Sequence, residues 1–387
     1  MEIARNKAPE TQITDPNYLS CICVDEKGRT KTVISTAERA AFVTLSDSAG
    51  RIYGEVSNIC EPFDFTAHVF YLPEGTLDSP VTVHFVNLMD KSAYFAAAGD
   101  CGSATLTPDR VKRTNFAAVI AETDRHIQPV SVTETAVCDG VRCKELICTR
   151  DDGAPVLMYA LFVDPSKAGF SAGTAFDGYA PGVKIQTVKG QAEAAIANGR
   201  RVVAATNADF YDMFGTCTPS GLCVKDGRTV SNGTTIRNFF GMDMNGRPVI
   251  GNFADNPELY GQLSCAVGGR EIFLEDGEIA DISPCEPFSF VSHPRTAAGI
   301  CENGEAVLLV VDGRIPERSN GASLVDLARV MQSFHVKRAI NLDGGGSSTF
   351  LIMKEGELTM LNRPADLIRP TEPLIREIYN SLQVIQY

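Results

Sequence analysis

SLVDLARVMQSFHVKRAINLDGGGSST (residues 323–349) runs from a helix through a strand into three consecutive glycines. Leu324, Leu327, Ala328 and Met331 fall on one helical face, and Ser323 with Asp326 makes a capping-box start. A second stretch, QAEAAIANGRRVVAATNAD (191–209), has the same order: a small-residue helix stopped by Gly199, then a strand. Each unit ends in Asn-x-Asp, Asn207-Ala208-Asp209 and Asn341-Leu342-Asp343. Residues two apart on an extended chain point to the same side, so each strand end is expected to present an amide and a carboxylate together. Strand ends that open into loops are where α/β sheets place sites. Asn and Asp also form turns at strand ends; two copies, one beside a triple glycine, favour a site.

Upstream, VRCKELICTR (141–150) and PVLMYALFV (155–163) read as strands paired across the turn DDGA. Asp226-Gly227 and Asp276-Gly277 read as hairpin turns. The fold expected for residues 131–387 is α+β or mixed α/β, with mixed sheets and few helices. Before it, residues 19–130 read as a smaller β-rich accessory domain, with strands such as FTAHVFYL (65–72) and VTVHFVNL (81–88). His68 and His84 lie in those strands and are expected to be packed or edge histidines. Residues 1–18 are polar and expected to be flexible.

At roughly 100–200 residues per domain, 387 residues suggest about two domains. Lys plus Arg is 35 against 48 Asp plus Glu, a net charge of −13. Such a surface repels phosphate backbones and anionic lipid, so neither nucleic acid nor a membrane is an expected partner. No apolar run reaches the roughly 20 residues that span a bilayer. Trp is absent, which weakens the case for a sugar-stacking platform. Twelve cysteines show no C-x-x-C and no zinc-ribbon spacing. Reduced thiols in a cytoplasm are the expectation, and residues 1–18 hold no apolar leader core; secretion with disulfides is the alternative. Oligomeric state is not readable.

Three glycines in a row cost backbone entropy, which a close approach or a positive φ would justify. Gly344, Gly345 and Gly346 are followed at once by Ser347, Ser348 and Thr349. A loop of this type offers N–H donors suited to an oxyanion or phosphate. It is neither a Walker A loop nor a dinucleotide fingerprint. Arg295 in His293-Pro294-Arg295 and Arg314 in Asp312-Gly313-Arg314 offer planar forks for phosphate or carboxylate. Either is equally compatible with a solvated surface arginine. His293 could donate to a leaving oxygen or be structural, and Lys225 could assist an anion.

TNADFYD (206–212), PSGLCVKDGR (219–228), AVGGREIFLEDGEI (266–279), HPRTAAGI (293–300), VLLVVDGR (307–314), AINLDGGGSSTF (339–350) and the tail NRPADLIRPTEPLIREIYNSLQV (362–384) occur in an order that resembles the phosphodiester glycosidase family. The resemblance covers about residues 131–387. It implies hydrolysis of a sugar-1-phosphodiester, or of a glycan carrying one, at the sugar C1–O bond. On that reading Asp343 and Asp209 are the carboxylate candidates. Arg295 and Arg314 with the Gly344–Gly346 backbone form a phosphate cradle. Asn207, Asn341, His293 and Asp312 line the substrate, and Ser347, Ser348 and Thr349 donate to phosphate. No cofactor is expected; a divalent metal on these carboxylates is compatible with their chemistry but is not indicated by ligand spacing. The alternatives are a non-catalytic carbohydrate- or phosphate-binding protein of the same fold, and a glycosidase acting on a non-phosphorylated glycan. Residues 315–321, IPERSNG, are bulkier and more charged than the family resemblance implies there.

Overall fold

A computed structural model describes residues 10–387 except 16, 27–28, 38, 55–66, 90–100, 114–125, 180–183, 214–215, 234–237, 253–255, 260, 281, 283–286 and 370–371. The chain forms two compact units, one of Met1–Glu122 with Ser283–Phe290, the other of Thr123–Ile282 with Val291–Tyr387. The boundary lies before residue 130 because Gln128–Cys138 pairs with Val141–Thr149 in the larger unit. Glu10–Ile13, inside the terminus expected to be flexible, is a strand paired in parallel with the start of Cys101–Leu106.

The smaller unit carries a five-stranded and a four-stranded sheet among its described residues. Ile34, Val43, Phe70 and Phe85 are in its core. His68 is buried, and His84 Nε2 lies 3.1 Å from Ser46 Oγ.

The larger unit is built from sheets. An eight-stranded sheet is ordered Gln128–Cys138, Val141–Thr149, Pro155–Val163, Ala306–Val311, Arg295–Cys301, Val336–Leu342, Ile272–Glu275, Glu278–Ile279. A five-stranded sheet is ordered Ala168–Thr174, Asn380–Gln386, Val202–Asn207, Phe350–Lys354, Glu357–Met360. Another is ordered Arg228–Ser231, Cys223–Lys225, Leu263–Gly268, Asn238–Asp243, Pro248–Asn252. One hydrophobic core takes residues from all three, including Leu161, Leu308, Ala205, Leu382, Phe240 and Val267. Tyr159 stacks on Phe350 at 5.9 Å, and Phe170 meets Phe240 edge-on at 5.1 Å, so ring contacts tie each sheet to the next.

This corrects the mixed α/β expectation for the larger unit. Every strand pairing described there is antiparallel. The protein is β-rich with few helices, and no helix crosses over between parallel strands. Continuous apolar runs such as AVLLVV are what parallel sheets covered by helices show. Here the same burial comes from sheet packing on sheet.

The two helix–strand units do form. The helix Val188–Ala197 ends at Gly199, whose φ of 87° gives the left-handed stop the sequence called for. The helix Leu324–Ser333 opens on the expected capping box, with Ser323 N–H donating to Asp326 Oδ2 at 2.8 Å and Asp326 N–H to Ser323 Oγ at 3.1 Å. Val141–Thr149 pairs with Pro155–Val163 as expected. Both Asp-Gly turns hold positive φ at both residues, 49° and 72° at Asp226-Gly227, 50° and 82° at Asp276-Gly277. Among the described residues no helix is long and apolar enough to cross a membrane, and no described cysteine is in a disulfide.

Ser323→Ala removes one arm of the capping box. It is expected to cost about 1 kcal/mol, seen as a lower urea midpoint for the larger unit; an unchanged midpoint would show that the cap contributes nothing.

Candidate functional site

Two strands, Val202–Asn207 and Val336–Leu342, lie in different sheets, yet their ends meet. Asp343 N–H donates to Ala208 O at 2.8 Å. Asn207 fixes the junction. Its Nδ2 donates to Asp343 O at 2.5 Å, and its Oδ1 accepts from Thr296 Oγ1 at 2.8 Å and Thr349 N–H at 3.1 Å. One buried amide therefore ties three chain segments together, its own strand, the start of Arg295–Cys301 and the 343–349 loop, and its hydrogen bonds go to the protein. Asn341 is also buried; its Nδ2 donates to Glu271 Oε2 at 2.9 Å, while Oδ1 has no partner among the described residues. The expectation that each Asn-x-Asp presents amide and carboxylate together is thus corrected. Asn207 reaches residues 296, 343 and 349, whereas Asp209 Oδ2 accepts from Gly221 N–H at 2.8 Å. The chain leaves the extended conformation after Asn207, so the same-side rule no longer applies.

The triple glycine is required by three separate neighbours. A Cβ on Gly344 would lie 2.6 Å from Pro294 O, and one on Gly346 would lie 2.2 Å from Asp366 Oδ2. At Gly345, φ is 62° and a Cβ would sit 3.3 Å from both Arg314 Nη1 and Nη2. The loop does not serve as an array of open donors. Gly344 N–H donates to Asp343 Oδ1 at 2.8 Å, Gly345 N–H to Pro294 O at 2.9 Å, and Ser347 N–H to Gly344 O at 3.1 Å. Ser348 N–H reaches Gly345 O at 3.3 Å, and Thr349 N–H is held by Asn207. The hydroxyls differ: Ser347 Oγ and Ser348 Oγ are buried and without partners among the described residues, while Thr349 Oγ1 donates to Ser347 O at 3.1 Å.

The two arginines separate. Arg314, in a left-handed conformation with φ 60°, is exposed and lays its guanidinium over Gly345. Arg295 is 1% exposed, with Nε donating to Ala322 O at 3.1 Å and Nη2 to Val291 O at 2.9 Å. Much of its fork is spent on backbone carbonyls, so it braces the corner from inside. Burial, then the charges of Arg295 and Arg314, push the His293 imidazole down to about 3. It is neutral at physiological pH and holds no imidazolium proton to donate. Asp312 is buried and closes the following loop: Arg318 Nε donates to its Oδ2 at 2.9 Å and Arg363 N–H to its Oδ1 at 3.0 Å. Lys225 is remote from this chemistry; it is buried and ion-paired with Asp177.

Asp209 is 2% exposed, and its Oδ1 has no partner among the described residues. A Cβ on Gly268 would lie 2.6 Å from that oxygen. Burial raises its carboxyl well above the usual range, Gly221 N–H opposes this, and the negative charge of Asp343 adds to it. Asp343 is half-buried. Two carboxyls thus stand in unlike environments, one buried and biased toward its neutral form, one reachable from solvent.

Three participants, Tyr211, Asp366 and Arg376, lie in stretches that carry the resemblance but have no role assigned from sequence. Tyr211 donates its hydroxyl to Glu377 O at 2.9 Å, and burial, followed by the Asp343 charge, pushes its phenol up to about 12. Asp366 presses on Gly346 and accepts from Arg376 Nε at 2.5 Å. Among the described residues no cluster of three or more His, Cys, Asp or Glu is placed to hold a metal.

Residues 200–382 match the phosphodiester glycosidase family, so the resemblance drawn from the motifs holds over that stretch. The N-acetylglucosamine-1-phosphodiester alpha-N-acetylglucosaminidase of Bos taurus is 32% identical over 29% of this chain and 24% of its own length. The proteins of that name from Mus musculus and Homo sapiens are 35% and 37% identical, each over 20% of this chain and 15% of its own length. The matches thus span a quarter or less of these relatives. Among solved structures, the catalytic domain of the zebrafish protein of that name, auto-inhibited by its pro-peptide, superposes with a TM-score of 0.52 at 23% identity, covering 68% of this chain and 88% of that one. A hypothetical protein from Synechocystis gives 0.50 at 13% identity, over 95% and 81%. At these identities the structural likeness shows a common fold.

The raised Asp209 carboxyl has a measurable signature. An acid whose folded pKa exceeds its unfolded one stabilises the fold fully below the unfolded value, and that contribution is lost as pH rises through the folded value. Asp209→Asn cannot ionise. Its thermal midpoint is expected to gain on the native protein as pH rises above about 4, the unfolded carboxyl value; a constant offset at all pH values above that would remove the buried-acid assignment.

Proposed function

We propose that this chain, with its phosphodiester glycosidase match over residues 200–382, is a hydrolase that cleaves the C1–O bond of a sugar-1-phosphodiester. Free sugar and a phosphomonoester are the products. The observation that carries this reading is the pairing, on one glycine loop, of the half-buried Asp343 carboxylate with the Arg314 guanidinium over Gly345. A carboxylate beside C1 stabilises positive charge developing on the sugar. A guanidinium beside the departing phosphate stabilises the negative charge on the other side of the breaking bond.

In this reaction the C1–O electron pair leaves with the phosphate oxygen, a water oxygen bonds to C1, and the water's proton is released. Asp343 is the carboxylate at the reacting carbon. Asp209 is a positioning residue: Asp343 N–H is bonded to Ala208 O beside it, and Asp209 N–H is held by Asn380 Oδ1 at 2.9 Å. Arg295 holds the 291–295 backbone that Gly344 and Gly345 rest on. N-acetylglucosamine is the first sugar to test, because the matched relatives are named for it. The proposed chemistry asks for no cofactor.

Incubation with N-acetylglucosamine-1-phosphodiesters should release reducing sugar. Asp343→Asn should lower turnover by roughly a thousandfold or more with a nearly unchanged thermal midpoint, since the amide keeps the acceptor for Gly344 N–H. Native-like turnover in that variant would take Asp343 out of the reaction. A native protein that binds the diester without releasing sugar would place the chain among binding proteins instead.

A further inference from the structure

The triple glycine is flanked on its other side by a pair the proposed reaction has not used. A Cβ on Gly346 would fall between 2.2 and 2.5 Å from three atoms of the Asp366 carboxyl group. Arg376 donates Nε to Asp366 Oδ2 at 2.5 Å and also contacts it through Nη2. The segment bearing both is pinned: Leu374 N–H donates to Asp366 O at 2.8 Å, and Tyr211 reaches Glu377 O at 2.9 Å. Both side chains are only about three-quarters covered, at 23% and 24% exposure, so water and solutes reach them. Among the described residues Nη1 of Arg376 has no partner.

We infer that Arg376 is a second anion-contacting arginine, held at the triple glycine by Asp366, and that it binds the phosphate group of the substrate. This rests on the phosphodiester reading above. Arg314 lies over Gly345, and Asp366, the partner of Arg376, lies against the next residue; Tyr211 feels the charges of both Asp343 and Arg376. The carboxylate of Asp366 uses one edge of Arg376 and fixes the plane of its fork. The remaining Nη1 edge is left for an oxyanion. With Arg295 buried and the loop N–H groups largely spent, Arg376 supplies the donors the sequence had assigned to them.

The test is direct binding of inorganic phosphate to the full chain by calorimetry, alongside KM and kcat for a sugar-1-phosphodiester. Arg376→Gln should weaken phosphate by roughly ten- to a hundredfold and raise KM more than it lowers kcat. Arg376→Lys should fall between the two. Asp366→Asn, which removes a negative charge but leaves the guanidinium, should bind phosphate at least as tightly as the native protein. Arg142→Ala, which breaks an ion pair with Glu305 elsewhere on the unit, should leave phosphate binding unchanged. Equal phosphate affinity in native and Arg376→Gln proteins, or no phosphate binding by the native protein, would overturn the inference. Were Arg376→Gln to misfold, Arg376→Lys with native affinity would overturn it too. Phosphate binding that depends on Arg376, in a protein that never hydrolyses the diester, would sink the hydrolase reading and leave this one standing.

Discussion

The site depends on the absence of three methyl groups. The Cβ positions of Gly344, Gly345 and Gly346 fall on a carbonyl of residue 294, the guanidinium of Arg314 and the carboxyl group of Asp366. These neighbours come from segments tens of residues away in the chain, and each reaches the backbone because no side chain stands in between. Any alanine there would push against a different neighbour. The entropy lost by ordering three glycines is offset by a dense set of backbone and Asn207 hydrogen bonds around the loop. Asp343, at the entrance of the turn, inherits its position from that packing.

Much of the local structure was legible because it rests on near-neighbour chemistry. The capping box at Ser323, the stop at Gly199 and the two Asp-Gly hairpins depend on residues within a few positions of each other. The sheet arrangement was not legible. VLMYALFV and AVLLVV are apolar on both faces, which a helix-covered parallel sheet and a sheet-covered antiparallel sheet satisfy equally. What separates them is contacts such as Tyr159 with Phe350, nearly two hundred residues apart, which no local pattern records.

Site legibility divides on the same line. Two Asn-x-Asp ends hinted at convergence, and Asp343 and Ala208 do meet. Read from sequence, the amides, Arg295 and Asp312 go to the substrate, whereas the structure shows protein partners for them, because the partners of a polar side chain at a strand end are set by distant parts of the chain. Asn207 finds them at 296, 343 and 349; Asp312 finds them at 318 and 363. Arg376 and Asp366 lie in a Pro-rich tail with no periodicity, so only the fold reveals that Asp366 presses on Gly346 and holds Arg376.

The electrostatics of the corner bear on which bond this arrangement suits. An ordinary glycosidic oxygen leaves as an alkoxide unless an acid protonates it, so glycan hydrolysis asks for an accessible proton donor. Of the protonatable groups in this corner, Tyr211 is pushed up to about 12 and spends its hydroxyl on Glu377 O, and neither His293 nor Asp209 fits that task. His293 is held neutral by burial and by two flanking arginines. Burial biases Asp209 toward its protonated form, but it is walled in against Gly221 and Gly268. A phosphate oxygen needs no such donor, because it leaves as part of a stable anion that guanidinium charge can hold. Under the proposed reaction Arg314, one of the charges that add to burial in holding His293 neutral, also stabilises the leaving group. One guanidinium thus disfavours an imidazolium acid and favours a departing anion.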